Sequence, residues 1–236
     1  MKREYCRWFS GSLGRDMEIL VFGHSGLPVL VFPTSGGRFY EFEENGMVHA
    51  VVRDVEEGKI QFFCVDSVNG ESWYNREVPP RWRIARHVQY EEYVLREVLP
   101  LIWNWNGGER PVALGCSLGG FNAASIALRH PSIFRGFLSM SGIFDPCRFL
   151  HGYYDQDVYF HSPPHFLANL HDPHELAKYQ GNAYVLATGV HDQCWDANER
   201  MADVLRAKNI AHRLDVWQDG MRHDWPWWRR MIQTYL

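Results

Sequence analysis

Ser117 is the residue of this chain best suited to covalent chemistry. It is the third position of Gly115-Cys116-Ser117-Leu118-Gly119, a G-x-S-x-G pentapeptide. Alone the pentapeptide is a weak signal, because an ordinary glycine-rich turn can carry it. Its flanks strengthen it. The apolar run "PVAL" reads as a strand leading in, and "FNAASIAL" reads as a helix leading out. A sharp turn between strand and helix lifts a serine hydroxyl clear of a sheet, and small residues on either side let the two elements approach. Cys116 is off the apex in this register and should point into the core, as most free cysteines do.

A serine hydroxyl is a poor nucleophile until a base takes its proton. Twelve histidines compete for that role. His223 is the best placed. It follows the last strand-like run, "RLDVWQ", and precedes a terminal helix whose first turn accommodates Pro226. That point is the carboxyl edge of the sheet, where open α/β folds bind ligands. His151, His161, His165, His171 and His174 crowd a different segment. "HSPPH" has the i, i+4 spacing of a metal pair, but its two prolines forbid the helix that would align the rings, and "HDPH" has the same defect. No metal site is expected.

The acid that orients the base should come from "TGVHDQCWDANER", which holds Asp192, Asp196 and Glu199. Asp196 and Glu199 form D-x-x-E ahead of a helical run, the pattern of a capping box. Asp192 lies in the loop after "AYVLATG" and has no such local task. The local pattern therefore favours Asp192 over Asp196. An acyl-transfer site also needs two N–H donors aimed at the developing oxyanion. Leu118 supplies one. The loop "FPTSGGRF" supplies the other, at Ser35 or Gly36.

The elements that must position these residues follow from patterning. "REYCRWFS", "MEILVFG" and "VLVFP" read as β-rich segments separated by turns, an antiparallel meander, and "IQFFCVD" reads as a buried strand. Helix and strand then alternate. "RHVQYEEYVLREVL" has amphipathic spacing and should kink or end at Pro100. "RPVALGC", "FRGFLSMSG", "NAYVLATG" and "HRLDVWQ" are strands, and the runs between and after them are helices. The expected fold is α/β, a mostly parallel sheet with helices on both faces and antiparallel strands at its N-terminal side. Residues 143 to about 180, rich in Pro, His and aromatics, break the alternation and read as a cap-like insertion over the sheet edge.

Composition narrows the class. At 236 residues, with 46% hydrophobic and 22% charged, the chain fits one globular domain. The net charge of −4 and the lack of a basic stripe argue against nucleic acid as a partner. Five cysteines without a CxxC pair suit a reducing, cytoplasmic setting. "MKREYCRWFS" has no apolar core of a secretory signal, and no apolar run is long enough to span a bilayer.

With these residues in view, the chain resembles the esterase branch of the α/β-hydrolases that includes S-formylglutathione hydrolases, feruloyl esterases and the mycolyltransferase antigens. The resemblance runs from "LVFPTSGG" to "HDWPWW". "GCSLGG" matches the family's G-x-S-x-G-G and implies Ser117 as nucleophile. "RHDWPWW" implies His223 as base, and "ATGVHDQ" implies Asp192 as acid. "TSGG" stands where the family has an "HGxGG"-like loop, which implies Ser35 as the second oxyanion donor. The histidine is preceded by "GMR" instead of a glycine pair, and the oxyanion loop lacks "HG".

The expected activity is hydrolysis of a carboxylic ester, a small-molecule substrate, with no cofactor. Acyl transfer by the same three residues and a non-catalytic binding role are the alternatives. Gly36, Trp73 from "ESWYN", and Tyr153 and Tyr154 from the insertion are expected to contact substrate. Core packing explains these aromatics as readily.

Overall fold

Successive residues of the central strands point to opposite faces, and the two faces bury different clusters. In β3 (Leu27–Phe32), Leu30 and Phe32 join one hydrophobic cluster, and Val29 and Val31 join the other. β4 (Ile60–Val65) repeats the pattern, with Phe63 and Val65 on one side and Phe62 and Cys64 on the other. A strand buried on both faces needs apolar residues throughout, which is why "IQFFCV" has no polar alternation beyond Gln61. The computed structural model describes residues 1–218 and 220–236.

Eight strands form one sheet in the order β1-β2-β4-β3-β5-β6-β7-β8. β1 (Arg3–Ser10) and β2 (Arg15–Phe22) are an antiparallel hairpin, and β2 pairs antiparallel with β4. From β4 onward all pairings are parallel, through β3, β5 (Val112–Cys116), β6 (Gly136–Met140), β7 (Ala183–Gly189) and β8 (Arg213–Trp217). The expected antiparallel meander is therefore corrected at its third strand. β3 does not pair with β2, because β4 lies between them. The short helices Glu41–Glu44, Met47–Ala50 and Val52–Glu56 make the β3–β4 link a crossover, and a crossover returns its strand parallel.

Longer helices cover both faces. On one side lie α1 (Pro80–Tyr93), α2 (Leu99–Asn106), α3 (Leu118–Arg129) and α4 (Trp195–Ala207), whose apolar residues join the cluster of Phe63. On the other side lies α5 (Trp225–Tyr235), with Trp228, Met231 and Ile232 in the cluster of Phe62. Pro100 does not end the helical path. It occupies the first turn of α2, where its missing N–H costs little, and a π-helical stretch, Val94–Val98, joins α1 to α2.

Residues 143–180 contain a 3₁₀ turn at Pro146–Phe149 and helices at Gln156–Phe160, Pro163–Ala168 and Pro173–Ala177. The prolines of "HSPPH" begin a helix instead of forbidding one. His161 falls outside it, and the two rings have different partners. His161 Nε2 is 3.5 Å from a Glu91 oxygen, and His165 Nδ1 is 2.9 Å from the Tyr154 hydroxyl.

Candidate active site

Three parallel-strand ends bring the site together. Ser117 follows β5 and caps α3 with φ 55° and ψ −121°, a conformation that a non-glycine residue holds only under constraint. The constraint is packing of bare glycine backbone. A Cβ on Gly115 would lie 2.2 Å from the Gly119 carbonyl carbon, and one on Gly119 would lie 2.3 Å from the Phe32 oxygen. Strand, turn and helix thus meet at backbone contact, and the serine is held at the bend. Cys116 points into the core and is 1% exposed. Burial pushes its thiol well above the ordinary range.

His223 lies between β8 and α5, and Asp192 lies in the loop after β7. His223 Nε2 is 2.9 Å from Ser117 Oγ, and its Nδ1 is 3.0 Å from Asp192 Oδ1. Asp192 is 5% exposed. Burial pushes its carboxyl up, but the contacts with His223, Ser141 and the Cys194 N–H outweigh that and hold it below its ordinary value. Of the three acids, the geometry brings Asp192 to the histidine.

Asp196 does not cap the helix, contrary to the expectation from D-x-x-E. α4 begins at Trp195, with Cys194 at its N-cap and no side-chain cap. Asp196 sits one residue inside the first turn, so D-x-x-E is not a capping box here. Asp192 itself takes the local bond, accepting from the Cys194 N–H at 2.8 Å. One carboxylate oxygen therefore both fixes the loop and faces the imidazole.

Leu118 is the first residue of α3, where N–H groups lack intrahelical acceptors. Among the described residues, the backbone N–H groups of Leu118 and Ser35 are not taken up in hydrogen bonds. The loop carrying Ser35 is held from two sides. The Glu41 carboxylate accepts from the Thr34 N–H at 2.5 Å and from its hydroxyl at 3.0 Å. On the outer side, the Tyr74 hydroxyl donates to Ser35 Oγ at 2.7 Å. Gly37 gives Glu41 room, since a Cβ there would lie 1.9 Å from its carboxylate.

A cavity of about 610 Å³ opens over Ser117, lined by Ser35, Trp73, Tyr74, Ile143 and Phe149 among others. Trp73, expected to contact substrate, lines the cavity and is otherwise buried in the core. Gly36 is exposed, with φ 72°, and is not among the lining residues. Neither are Tyr153 and Tyr154. The Tyr153 hydroxyl donates to Asp155 at 2.6 Å, and Tyr154 meets His165. Tyr74 and Phe149, with rings 5.3 Å apart, form the aromatic wall instead. Tyr74 lies beside Trp73 in "ESWYN", and the sequence does not single it out. Phe149 had no local signal, because only the 3₁₀ turn at Pro146–Phe149 brings it there.

Behind the histidine, Trp228 packs edge-on at 5.1 Å, and its indole N–H donates to Ser141 Oγ at 3.1 Å. Cys194 Sγ is 4.0 Å from His223 Nδ1. Asp192, Cys194 and His223 place three potential metal donors within 4.8 Å of one another. Burial pushes the Cys194 thiol up to about 12, so it is protonated near neutrality and a poor metal ligand.

The sheet order, the strained serine turn and the placement of histidine and acid after later strands define an α/β-hydrolase fold. Solved structures agree. A ferulic acid esterase superposes with a TM-score of 0.80 at 19% identity, over 100% of this chain and 96% of its own. An S-formylglutathione hydrolase from Agrobacterium tumefaciens gives 0.75 at 16% identity, covering 99% and 92%. MPT51 (FbpC1) from Mycobacterium tuberculosis gives 0.76 at 14%, covering 99% and 96%. No curated protein sequence matches the chain. Residues 10–235 match the family model described as "Putative esterase". The chain belongs to that family and is a serine esterase. No helix among the described residues is long and apolar enough to cross a membrane.

Proposed function

We propose that this protein hydrolyses small carboxylic esters through a Ser117–His223–Asp192 triad and an acyl-enzyme. The observation that carries the reading is the unbroken hydrogen-bond chain, 2.9 Å and 3.0 Å long, that ends at the floor of the cavity. Ser117 Oγ attacks the ester carbonyl carbon as His223 Nε2 takes its proton. The carbonyl oxygen becomes an oxyanion facing the N–H groups of Leu118 and Ser35. The carbonyl–oxygen bond to the alcohol breaks, and His223 returns the proton to the leaving oxygen. Water then attacks the acyl-enzyme by the same route. Asp192 keeps Nδ1 protonated, so Nε2 is free to accept.

Two supporting features extend the reading. All five cysteines are unpaired, which suits a reducing, cytoplasmic compartment. Segment 143–180, inserted in a single domain, contributes Ile143 and Phe149 to the cavity, which suits a cap. The test is labelling by a fluorophosphonate probe with peptide mass spectrometry, together with turnover of short-chain p-nitrophenyl esters. Labelling at Ser117 and loss of turnover in Ser117→Ala are expected. Folded protein that neither labels nor turns over would refute the proposal.

A further inference from the structure

The cavity over Ser117 differs in charge from the chain that surrounds it. The chain carries a net −4, yet the cavity lining includes Arg76, Arg148 and His151 and no acidic residue. Several arginines outside the cavity are occupied, though among the described residues Arg53, Arg135 and Arg200 are unpaired as well. Arg86 and Arg129 pair with carboxylates, and Arg83 and Arg110 donate to carbonyls. Among the described residues, Arg76 and Arg148 have no such partner. Arg148 lies over the Phe149 ring at 5.7 Å, which holds its guanidinium at the aromatic wall without neutralising it. A guanidinium presents a planar fork of donors that fits a carboxylate, and these two unpaired forks line the same cavity as Ser117, with no acidic residue among its lining to compete for them.

Resting on the esterase reading, we infer that the natural substrate is an ester carrying a free carboxylate, which Arg76 and Arg148 bind while Ser117 attacks the ester carbonyl. Trp73 and Phe149 then cover the apolar part between the two groups. Both guanidiniums are exposed at the rim, so their attraction is screened by salt.

The test compares matched esters on the intact protein. For a charge on the acyl side, the p-nitrophenyl monoester of adipic acid is set against p-nitrophenyl methyl adipate. For a charge on the alcohol side, the acetyl ester of 4-hydroxyphenylacetic acid is set against that of its methyl ester. In at least one pair the anionic ester should have the higher kcat/KM, by about tenfold at low salt, shrinking as sodium chloride is raised. Arg76→Gln or Arg148→Gln should lower the anionic-to-neutral ratio. Equal or inverted efficiencies in both pairs overturn the inference and leave the esterase reading standing. A preference that both variants retain overturns the role of these arginines. No turnover of any of the four esters overturns both.

Discussion

Trp228 supports His223 from behind, with ring centroids 5.1 Å apart and planes at 81°. The same indole reaches past the imidazole to Ser141, whose backbone has φ 55° at the end of β6. The imidazole is thus wedged between Asp192 and a large ring anchored to the sheet. Replacing Trp228 by Phe keeps a ring but leaves the buried Ser141 hydroxyl without its donor. We expect a stability loss of about 1–2 kcal/mol and a several-fold fall in kcat, read from thermal melting and steady-state kinetics.

Asp192→Asn should leave the fold intact and lower kcat by about 10³-fold or more, because the amide favours the wrong imidazole tautomer. The carboxyl is held below its ordinary value in the fold. Its stabilising contribution is therefore fully present above the unfolded value, about 3.9, and lost as pH falls through the lower folded value. The melting-temperature gap between the native protein and Asp192→Asn should be constant near neutrality and close below about pH 4.

Gly37→Ala places a methyl group against the Glu41 carboxylate and should break its two bonds to Thr34. The loop carrying Ser35 then loses its inner tether. The outcome expected is a kcat lower by about tenfold with little change in KM for neutral esters, because the oxyanion forms only in the transition state. An unchanged kcat in folded Gly37→Ala would dissociate that loop from catalysis.

Asp155 and Asp196 both sit near helix starts, but only Asp155 is a cap. Its carboxylate accepts from the Val158 N–H at 2.9 Å, whereas α4 has no side-chain cap. Asp155→Ala should cost about 1 kcal/mol, and Asp196→Ala about half that or less, its remaining effect being attraction to the helix N-terminus. Denaturant titration separates the two.

Much of this site was legible in the sequence because the relevant signals are local. The turn at Ser117 is announced by its glycines, and His223 and Asp192 follow strands that their own apolar runs reveal. Elements that depend on distant partners were not legible. The pairing of β3 is set by where β4 inserts, and the turn signal in "GHSGLP" carries no information about that. Tyr153 and Tyr154 have the composition of a binding wall, yet Asp155 and His165 hold their hydroxyls elsewhere. Arg76 reaches the cavity from one segment and Arg148 and Phe149 from another, and single-chain spacing says nothing of such convergence.

The separation of 106 positions between Ser117 and His223 has a consequence for refolding. The bend at Ser117 is held by β3, β5, β6 and α3, whereas the imidazole of His223 arrives only when the segment after β8 seats across β6 and the helix Met47–Ala50. Collapse of the central strands can therefore precede any activity. Recovery of ester turnover during refolding times that final docking event, and a lag between it and the return of secondary structure measures how long the strained serine waits for its partner.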